Sequence, residues 1–148
     1  MEQESYIISI LTPTQDIELE VERSVIKRAD EVTSVTISVI LQGKKKVYQA
    51  ETTEDALIAF AKDLPKNWCI KSCLSCRFGH FCPVGNGDNE LFCVTDFQVK
   101  SPSDLWNVTE DFAEREKRSR TLFDLCDSYK KQSKDYFTYN DYLYNIKK

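Results

Sequence analysis

The first third of the chain alternates hydrophobic and polar residues with a period of two. Ile17, Leu19 and Val21 alternate with glutamates along one run. A second run repeats the pattern, with Val35, Ile37, Val39 and Leu41 separated by Thr36, Ser38 and Ile40. A period of two places alternate side chains on opposite faces of a β-strand. Both runs are therefore predicted to be strands with one buried face and one solvated face.

Two shorter runs extend this sheet. Tyr6–Leu11 is predicted to be the opening strand, and Lys46–Ala50 a partner strand reached through a turn at Gln42 and Gly43. Strands that follow one another through short turns pair antiparallel. The sequence therefore predicts an antiparallel meander.

The period changes at Thr52, which begins a T-x-x-D capping pattern with Asp55. The hydrophobic residues that follow have helical spacing, and the pattern stops at Pro65. They are Leu57, Phe60, Ala61 and Leu64. We expect a helix over residues 53–64 that covers the buried face of the sheet.

The next segment is rich in cysteine. Trp68–Cys73 and Glu90–Phe97 have strand character, and a loop containing proline and glycine separates them. The cysteines between residues 73 and 93 are therefore predicted to lie on a hairpin.

The C-terminal part begins with a predicted surface helix from Thr109 to about Lys131, which contains the i,i+4 pairs Glu114/Arg118 and Glu116/Arg120. Four tyrosines follow, at positions 136, 139, 142 and 144. This stretch is interpreted either as an edge strand or short helix that covers the core, or as an interface, because tyrosine is enriched at protein interfaces.

The length of 148 residues fits one domain, and 41% hydrophobic residues suffice for a buried core. We expect a single α+β domain over residues 1–148, with an antiparallel sheet packed against one or two helices.

The formal net charge of -4 opposes nucleic-acid binding, which needs a basic surface to neutralise phosphates. The basic run Lys44–Lys46 is interpreted as a solvated hairpin turn. No run approaches the ~20 apolar residues that a membrane helix needs, and the N-terminal residues lack the basic start of a secretory signal. We expect a cytoplasmic protein, in which thiols stay reduced and clustered cysteines favour a metal over disulfides.

The strongest chemical pattern is C-x2-C-x5-C-x10-C, formed by Cys73, Cys76, Cys82 and Cys93. A C-x-x-C pair presents two thiolates to one ion from a tight turn, and structural Zn²⁺ takes four such ligands. Spacing alone selects these four, with His80 as a substitute for Cys82. An iron–sulfur cluster, disulfides or thiols without a metal are the alternatives.

The run C-L-S-C-R-F-G-H-F-C-P-V-G-N, the later L-F-C and a final L-C resemble an uncharacterised bacterial family. Its members carry C-x-x-C-K-Y-S-D-Y-x-P-x-G-N, then a strand cysteine and a C-terminal Leu-Cys. The resemblance covers roughly residues 70–126 and implies no activity. The family often has a small residue at the position of Cys82 and Asp at that of His80. It therefore implies that the zinc ligands are Cys73, Cys76, Cys93 and Cys126.

Catalytic patterns are weaker. A thiol–disulfide couple would use Cys73 and Cys76, but such pairs normally open a helix, whereas a loop is expected here. His80 with Cys82 could form a nucleophile–base pair, and Asp88 with Glu90 an acid–base pair, although turn carboxylates usually serve the turn itself. The chain has no phosphate-binding glycine loop, no G-x-S-x-G and no H-E-x-x-H.

The functional hypothesis from sequence is a non-enzymatic, zinc-stabilised protein that binds a partner protein, in an immunity-type or accessory role. The alternative is a thiol–disulfide redox protein or sensor centred on Cys73 and Cys76. A nucleic-acid-binding zinc ribbon is disfavoured by the negative charge.

Overall fold

The computed structural model describes residues 2–85 and 87–146. They form a mixed α+β structure that divides into two compact units, one built mainly from the chain up to Ile70 and the other from Lys71–Asn145. The predicted α+β class, with an antiparallel sheet and helices, is confirmed. The single domain expected over residues 1–148 stays a prediction.

The described residues up to Lys71 form a five-stranded sheet. Its strands are β1 (Glu2–Leu11), β2 (Asp16–Arg28), β3 (Glu31–Leu41), β4 (Lys44–Ala50) and β5 (Cys69–Lys71), in the order β4-β3-β2-β1-β5. Strands β1 to β4 pair antiparallel with their neighbours in sequence. The predicted meander is confirmed, with β1 and β4 longer than their hydrophobic runs.

Two-residue turns connect β2 to β3 and β3 to β4. Both residues of each turn have positive φ: Ala29 at 54° and Asp30 at 67°, then Gln42 at 51° and Gly43 at 79°. Turns with two positive φ values match the right-handed twist of the flanking strands. The turn predicted at Gln42 and Gly43 is therefore present, and it fixes the register of β3 and β4.

The side chains of the sheet divide between two faces as the alternation predicted. The inner face is buried, and α1 (Thr53–Asp63) packs against β3 and β4. The buried aliphatic residues of β1, β2 and β3 are Ile8, Ile10, Val21, Val25, Val35, Ile37, Val39 and Leu41. Burial of this apolar area is the main stabilising contribution to the unit.

Helix α1 begins as its capping pattern predicted. The Thr52 hydroxyl accepts a hydrogen bond from the backbone N–H of Asp55 at 3.0 Å. Leu57 and Phe60 are fully buried, and Leu64 ends the helix one residue before Pro65.

The interpretation of Lys44–Lys46 as a hairpin turn is wrong, because these residues lie in the edge strand β4. Charged side chains on an edge strand oppose pairing with other chains.

The described residues of the second unit form a three-stranded sheet and three helices. The strands are β6 (Gly79–His80), β7 (Leu91–Cys93) and β8 (Ser119–Arg120), in the order β6-β7-β8. The helices are α2 (Pro102–Thr109), α3 (Phe112–Arg118) and α4 (Tyr142–Asn145).

The hairpin predicted between Trp68–Cys73 and Glu90–Phe97 is not formed as expected. Strand β5 belongs to the five-stranded sheet, and β7 pairs with β6 and β8. The chain leaves β5 at Ser72, whose hydroxyl accepts a hydrogen bond from the backbone N–H of Leu74 at 3.2 Å. Serine favours such local turns over continued strand.

The helix predicted from Thr109 to about Lys131 is also wrong in extent. Helix α3 ends at Arg118, whose guanidinium binds Asp96 through two hydrogen bonds of 2.8 and 2.9 Å and Glu114 through one of 3.1 Å. The predicted i,i+4 pair Glu114/Arg118 is therefore confirmed. After α3 the chain forms β8 and then turns, and Leu122 and Phe123 are buried.

The four C-terminal tyrosines mostly pack within the second unit. Tyr142 is buried, Tyr139 packs against the cluster of Val94, Val99 and Leu105, and Tyr136 contacts the ring of Phe78. Tyr144 is 76% exposed. The stretch therefore covers a core, as one of its two interpretations held. Among the described residues, no helix has the length and apolar content to cross a membrane.

Candidate metal centre

The first cysteine pair lies on a tight turn between β5 and β6. The backbone N–H of Cys76 donates to the carbonyl of Cys73 at 3.3 Å, and the N–H of Gly79 donates to that of Cys76 at 3.1 Å. Both cysteines are buried. Two successive turns thus present Cys73 and Cys76 from one short segment, as a C-x-x-C metal ligand pair requires.

Gly79 is required by close packing in this turn. A Cβ atom at this position would collide with the carbonyl oxygen of Cys73. Gly79 is also the residue paired with Cys93 across β6 and β7. The absence of a side chain at Gly79 therefore lets the C-x-x-C turn and the strand carrying Cys93 lie close together.

The segment carrying Cys126 is held against the same turn by the backbone. The N–H of Cys73 donates to the carbonyl of Asp124 at 2.7 Å, and the N–H of Arg77 donates to that of Lys130 at 2.8 Å. Cys76 forms an isolated antiparallel bridge with Lys131. Cys126 lies between these contacts and is exposed.

Side chains add further contacts between the two segments. The Ser72 hydroxyl donates to the carbonyl of Leu122 at 2.8 Å, and the Gln132 amide donates to that of Leu74 at 3.1 Å. The Asn140 amide donates to the carbonyls of Leu74 at 2.9 Å and Gly79 at 3.1 Å. The turn is thus anchored by residues far along the chain, and the sequence carried no sign of this role.

The four thiols implied by the resemblance influence one another electrostatically. Burial raises the pKa of Cys73, and together with the neighbouring Cys93, Cys76, Asp124 and Cys126 it brings that pKa to about 12. Burial also raises the pKa of Cys93, where Cys126 and Cys76 act in the same direction and Arg120 opposes them. Charges influence a pKa in this way when they lie near the titrating group.

A set of neighbouring thiols, two of them buried, is unfavourable for negative charge and favourable for a cation. Cys73, Cys76, Cys93 and Cys126 are all free thiols. A divalent ion would supply the missing positive charge and displace the thiol protons. Four soft sulfur donors fit Zn²⁺, which binds thiolates at about 2.3 Å in a tetrahedron.

The side chains are not oriented around a common point. Across residues 2–85 and 87–146, no three Cys, His, Asp or Glu side chains are arranged as a ready metal-binding group. Hydrogen bonds and strand pairing bring together the segments that carry the four cysteines, and a shared ion would require their side chains to rotate toward it.

The residues that spacing alone selected have other contacts. Cys82 lies against Thr109 and Arg115, with its sulfur 3.7 Å from the hydroxyl of the first and 3.7 Å from the guanidinium of the second. His80 is fully buried, and its Nδ1 accepts the backbone N–H of Tyr139 at 3.0 Å. Neither residue is among the groups that raise the pKa of Cys73.

The residues considered for catalysis also have structural contacts. Glu90 accepts the backbone N–H of Gly87 at 3.0 Å and the Ser119 hydroxyl at 3.3 Å. It thus holds its own turn and the start of β8. The raised pKa of Cys73 is the reverse of what an activated C-x-x-C thiol needs.

No protein-family model matches this chain, and no curated protein is significantly similar to it. The resemblance to the bacterial family with the C-x-x-C and P-x-G-N motif therefore stays a prediction, and the last residue of that motif, Asn86, lies outside the described residues.

Proposed function

We propose that this chain is a zinc-stabilised protein that acts by binding a partner protein, in an immunity-type or accessory role, without catalysis. The proposed zinc ligands are Cys73, Cys76, Cys93 and Cys126. The proposal is carried by one observation: three distant segments bring these cysteines around the same turn through backbone hydrogen bonds and strand pairing.

The energetic argument concerns the second unit. Its strands have two or three residues each, so they bury little area by pairing alone. A cross-link between residue 73 and residue 126 closes a long loop, which removes much conformational entropy from the unfolded chain. Zinc ligation would therefore stabilise the unit where its secondary structure is least extensive.

A binding role is supported by the first unit. Its sheet has one face covered by α1, whereas Ile7, Ile40 and Val47 on the other face are each more than half exposed. Exposed aliphatic side chains grouped on one surface are typical of interaction sites.

The ligand assignment is tested by cysteine-to-serine variants, measured by native mass spectrometry of protein purified without chelator. We expect one zinc ion in the wild type, and loss of zinc in Cys73→Ser, Cys93→Ser and Cys126→Ser. Loss of a structural metal should lower the free energy of unfolding by about 4 kcal/mol.

Cys82→Ser is the matched control, because Cys82 contacts Thr109 and Arg115 instead. It should retain zinc. Loss of zinc from Cys82→Ser with retention in Cys126→Ser would reject the proposed ligand set. A mass lower by two hydrogens, reversible by reductant and without zinc, would favour the thiol–disulfide alternative at Cys73 and Cys76.

The binding role is tested by affinity capture with the tagged protein from its native cell extract. A stoichiometric protein partner that survives gel filtration is the expected result. A chain that remains alone under these conditions would contradict the binding role and leave the zinc assignment unaffected.

A further inference from the structure

The outer face of the five-stranded sheet carries a line of acidic side chains. Glu18, Glu20 and Glu22 alternate with inward residues along β2 and are exposed. Alternate residues of a strand are about 7 Å apart along it. The three carboxylates therefore form a stripe of roughly 13 Å in the middle of the sheet.

Aliphatic residues flank this stripe on both sides. Ile7 of β1 pairs with Glu20, and Ile40 of β3 follows Val39, which pairs with Val21, so Ile40 lies beside Glu20 from the other side. Val47 of β4 pairs with Ser38, which in turn pairs with Glu22 of β2. Ile7, Ile40 and Val47 are 54%, 64% and 57% exposed. We call these three residues and the three glutamates the open sheet face.

The open sheet face is concave over β3. A shallow depression there is lined by Glu20, Glu22, Ser38, Val39, Ile40 and Lys45. Lys45 pairs with Ile40 and stands at the β4 side. The negative charge is therefore centred on β2, between the aliphatic residues of β1 and β3.

The dimensions of this surface fit an α-helix. Strands β1 and β3 are separated by two interstrand spacings, or about 10 Å, which is the diameter of a helix with its side chains. Basic residues four positions apart on a helix rise by about 6 Å, close to the spacing of the glutamates. An antiparallel sheet that packs on one face commonly leaves its other face open, so this surface is accessible to a partner.

We infer that the open sheet face binds a basic amphipathic helix of the partner protein. Lys or Arg side chains of that helix would meet Glu18, Glu20 and Glu22, and its apolar residues would contact Ile7, Ile40 and Val47. This inference rests on the proposed binding function and adds the surface and the chemistry of the partner. Charge complementarity selects a basic partner, and the exposed aliphatic residues select one with an apolar stripe.

The test uses a fluorescent synthetic helix with lysines at every fourth position beside a leucine stripe, and a second helix in which glutamates replace the lysines. Binding to the full chain is followed by anisotropy at several salt concentrations. We expect the basic helix to bind, with affinity falling as salt rises, and the acidic helix not to bind.

The variant Glu18→Gln/Glu20→Gln/Glu22→Gln should bind the basic helix about tenfold more weakly, because each exposed ion pair contributes modestly. The matched control is Glu31→Gln/Glu110→Gln/Glu116→Gln, which removes the same charge from exposed positions elsewhere. It should bind as the wild type does. The variant Ile7→Ser/Ile40→Ser should also weaken binding, since it removes apolar contacts without changing charge.

Equal weakening in both glutamine variants would show attraction to net charge alone and would overturn the inference. A captured partner that binds the wild type and the Glu18/Glu20/Glu22 variant equally would also overturn it, while the binding function would stand. Circular dichroism of each variant establishes that the sheet is retained.

Discussion

At the residue scale, His80 is a titratable side chain held in the core. It is fully buried, its Nδ1 accepts the N–H of Tyr139, and no partner for its Nε2 is found among the described residues. Burial lowers the pKa of His80 to about 4. The imidazole is therefore neutral in the folded protein and serves as an acceptor in the core.

This burial makes stability depend on pH. The unfolded chain binds a proton at His80 near pH 6.5, whereas the folded chain binds it only near pH 4. The contribution of His80 is thus fully present above pH 6.5 and is lost as the pH falls toward 4, by about 3 kcal/mol in total.

We expect His80→Gln to remove this dependence, because glutamine offers an acceptor to Tyr139 and does not titrate. Urea unfolding of the wild type and the variant, both with the metal chelated, measures the difference between pH 7.5 and pH 4. Parallel stability curves for the two proteins over this range would show that His80 does not titrate differently on folding.

At the element scale, the C-x-x-C turn depends on Gly79, because its close packing leaves no room for a side chain at this position. Gly79→Ala would force a Cβ atom against the carbonyl of Cys73. We expect this variant to lose about 2 kcal/mol of unfolding free energy, a typical cost of overpacking, and to bind zinc more weakly although Gly79 is not a ligand.

Gly87→Ala is its control. A Cβ atom at Gly87 would meet Glu90 at 3.8 Å, which is an ordinary contact. Chemical denaturation and competition with a chromogenic chelator measure the two properties. Similar behaviour of the two variants would remove the proposed role of Gly79 in holding the turn.

The elements that the sequence predicted well are those defined by local patterns. Strands β2 and β3 have long alternation, and α1 has both a cap at Thr52 and a stop at Pro65. Strand β8 was missed because Ser119 and Arg120 have no strand pattern and pair with Leu91 and Phe92 from far along the chain. The predicted helix to about Lys131 failed for the same reason, since nonlocal contacts overrode helical spacing.

The candidate site likewise has a part that local spacing predicts and a part that nonlocal contacts determine. The pair Cys73 and Cys76 could be recognised from spacing, because both thiols come from one turn. The place of Cys126 depends on the contact between Cys73 and Asp124, which joins distant segments. Its inclusion came from resemblance to a motif, and spacing alone would have chosen Cys82 instead.

At the scale of the whole molecule, the two units differ in what stabilises them. The first has a continuous sheet and a helix over its buried face, and the second has short strands joined by hydrogen-bonded turns. The free energy of local opening differs between the parts of such a chain. Opening occurs first in the part with the less extensive secondary structure.

We therefore expect removal of zinc to act on the second unit. Hydrogen exchange with mass spectrometric detection, before and after chelation, should show faster exchange in residues 71–145 and little change in β1, β2 and β3. Cys82→Ser treated in the same way should follow the wild type. Equal loss of protection in both units would mean that the metal stabilises the whole chain cooperatively.

The order of these units along the chain has a consequence for synthesis. The four strands of the meander pair with their neighbours in sequence, and β5 joins later at the side of β1, so the meander can fold while translation continues. Cys73 and Cys76 are made next, but Cys126 follows only after a further 3 to 10 s or so at about 5–20 residues per second. With the proposed ligand set, a nascent chain would present two of the four zinc thiols during that interval. Softer ions such as Cu(I) also bind thiolates, so under this proposal the pair would be open to ions other than zinc until Cys126 is made.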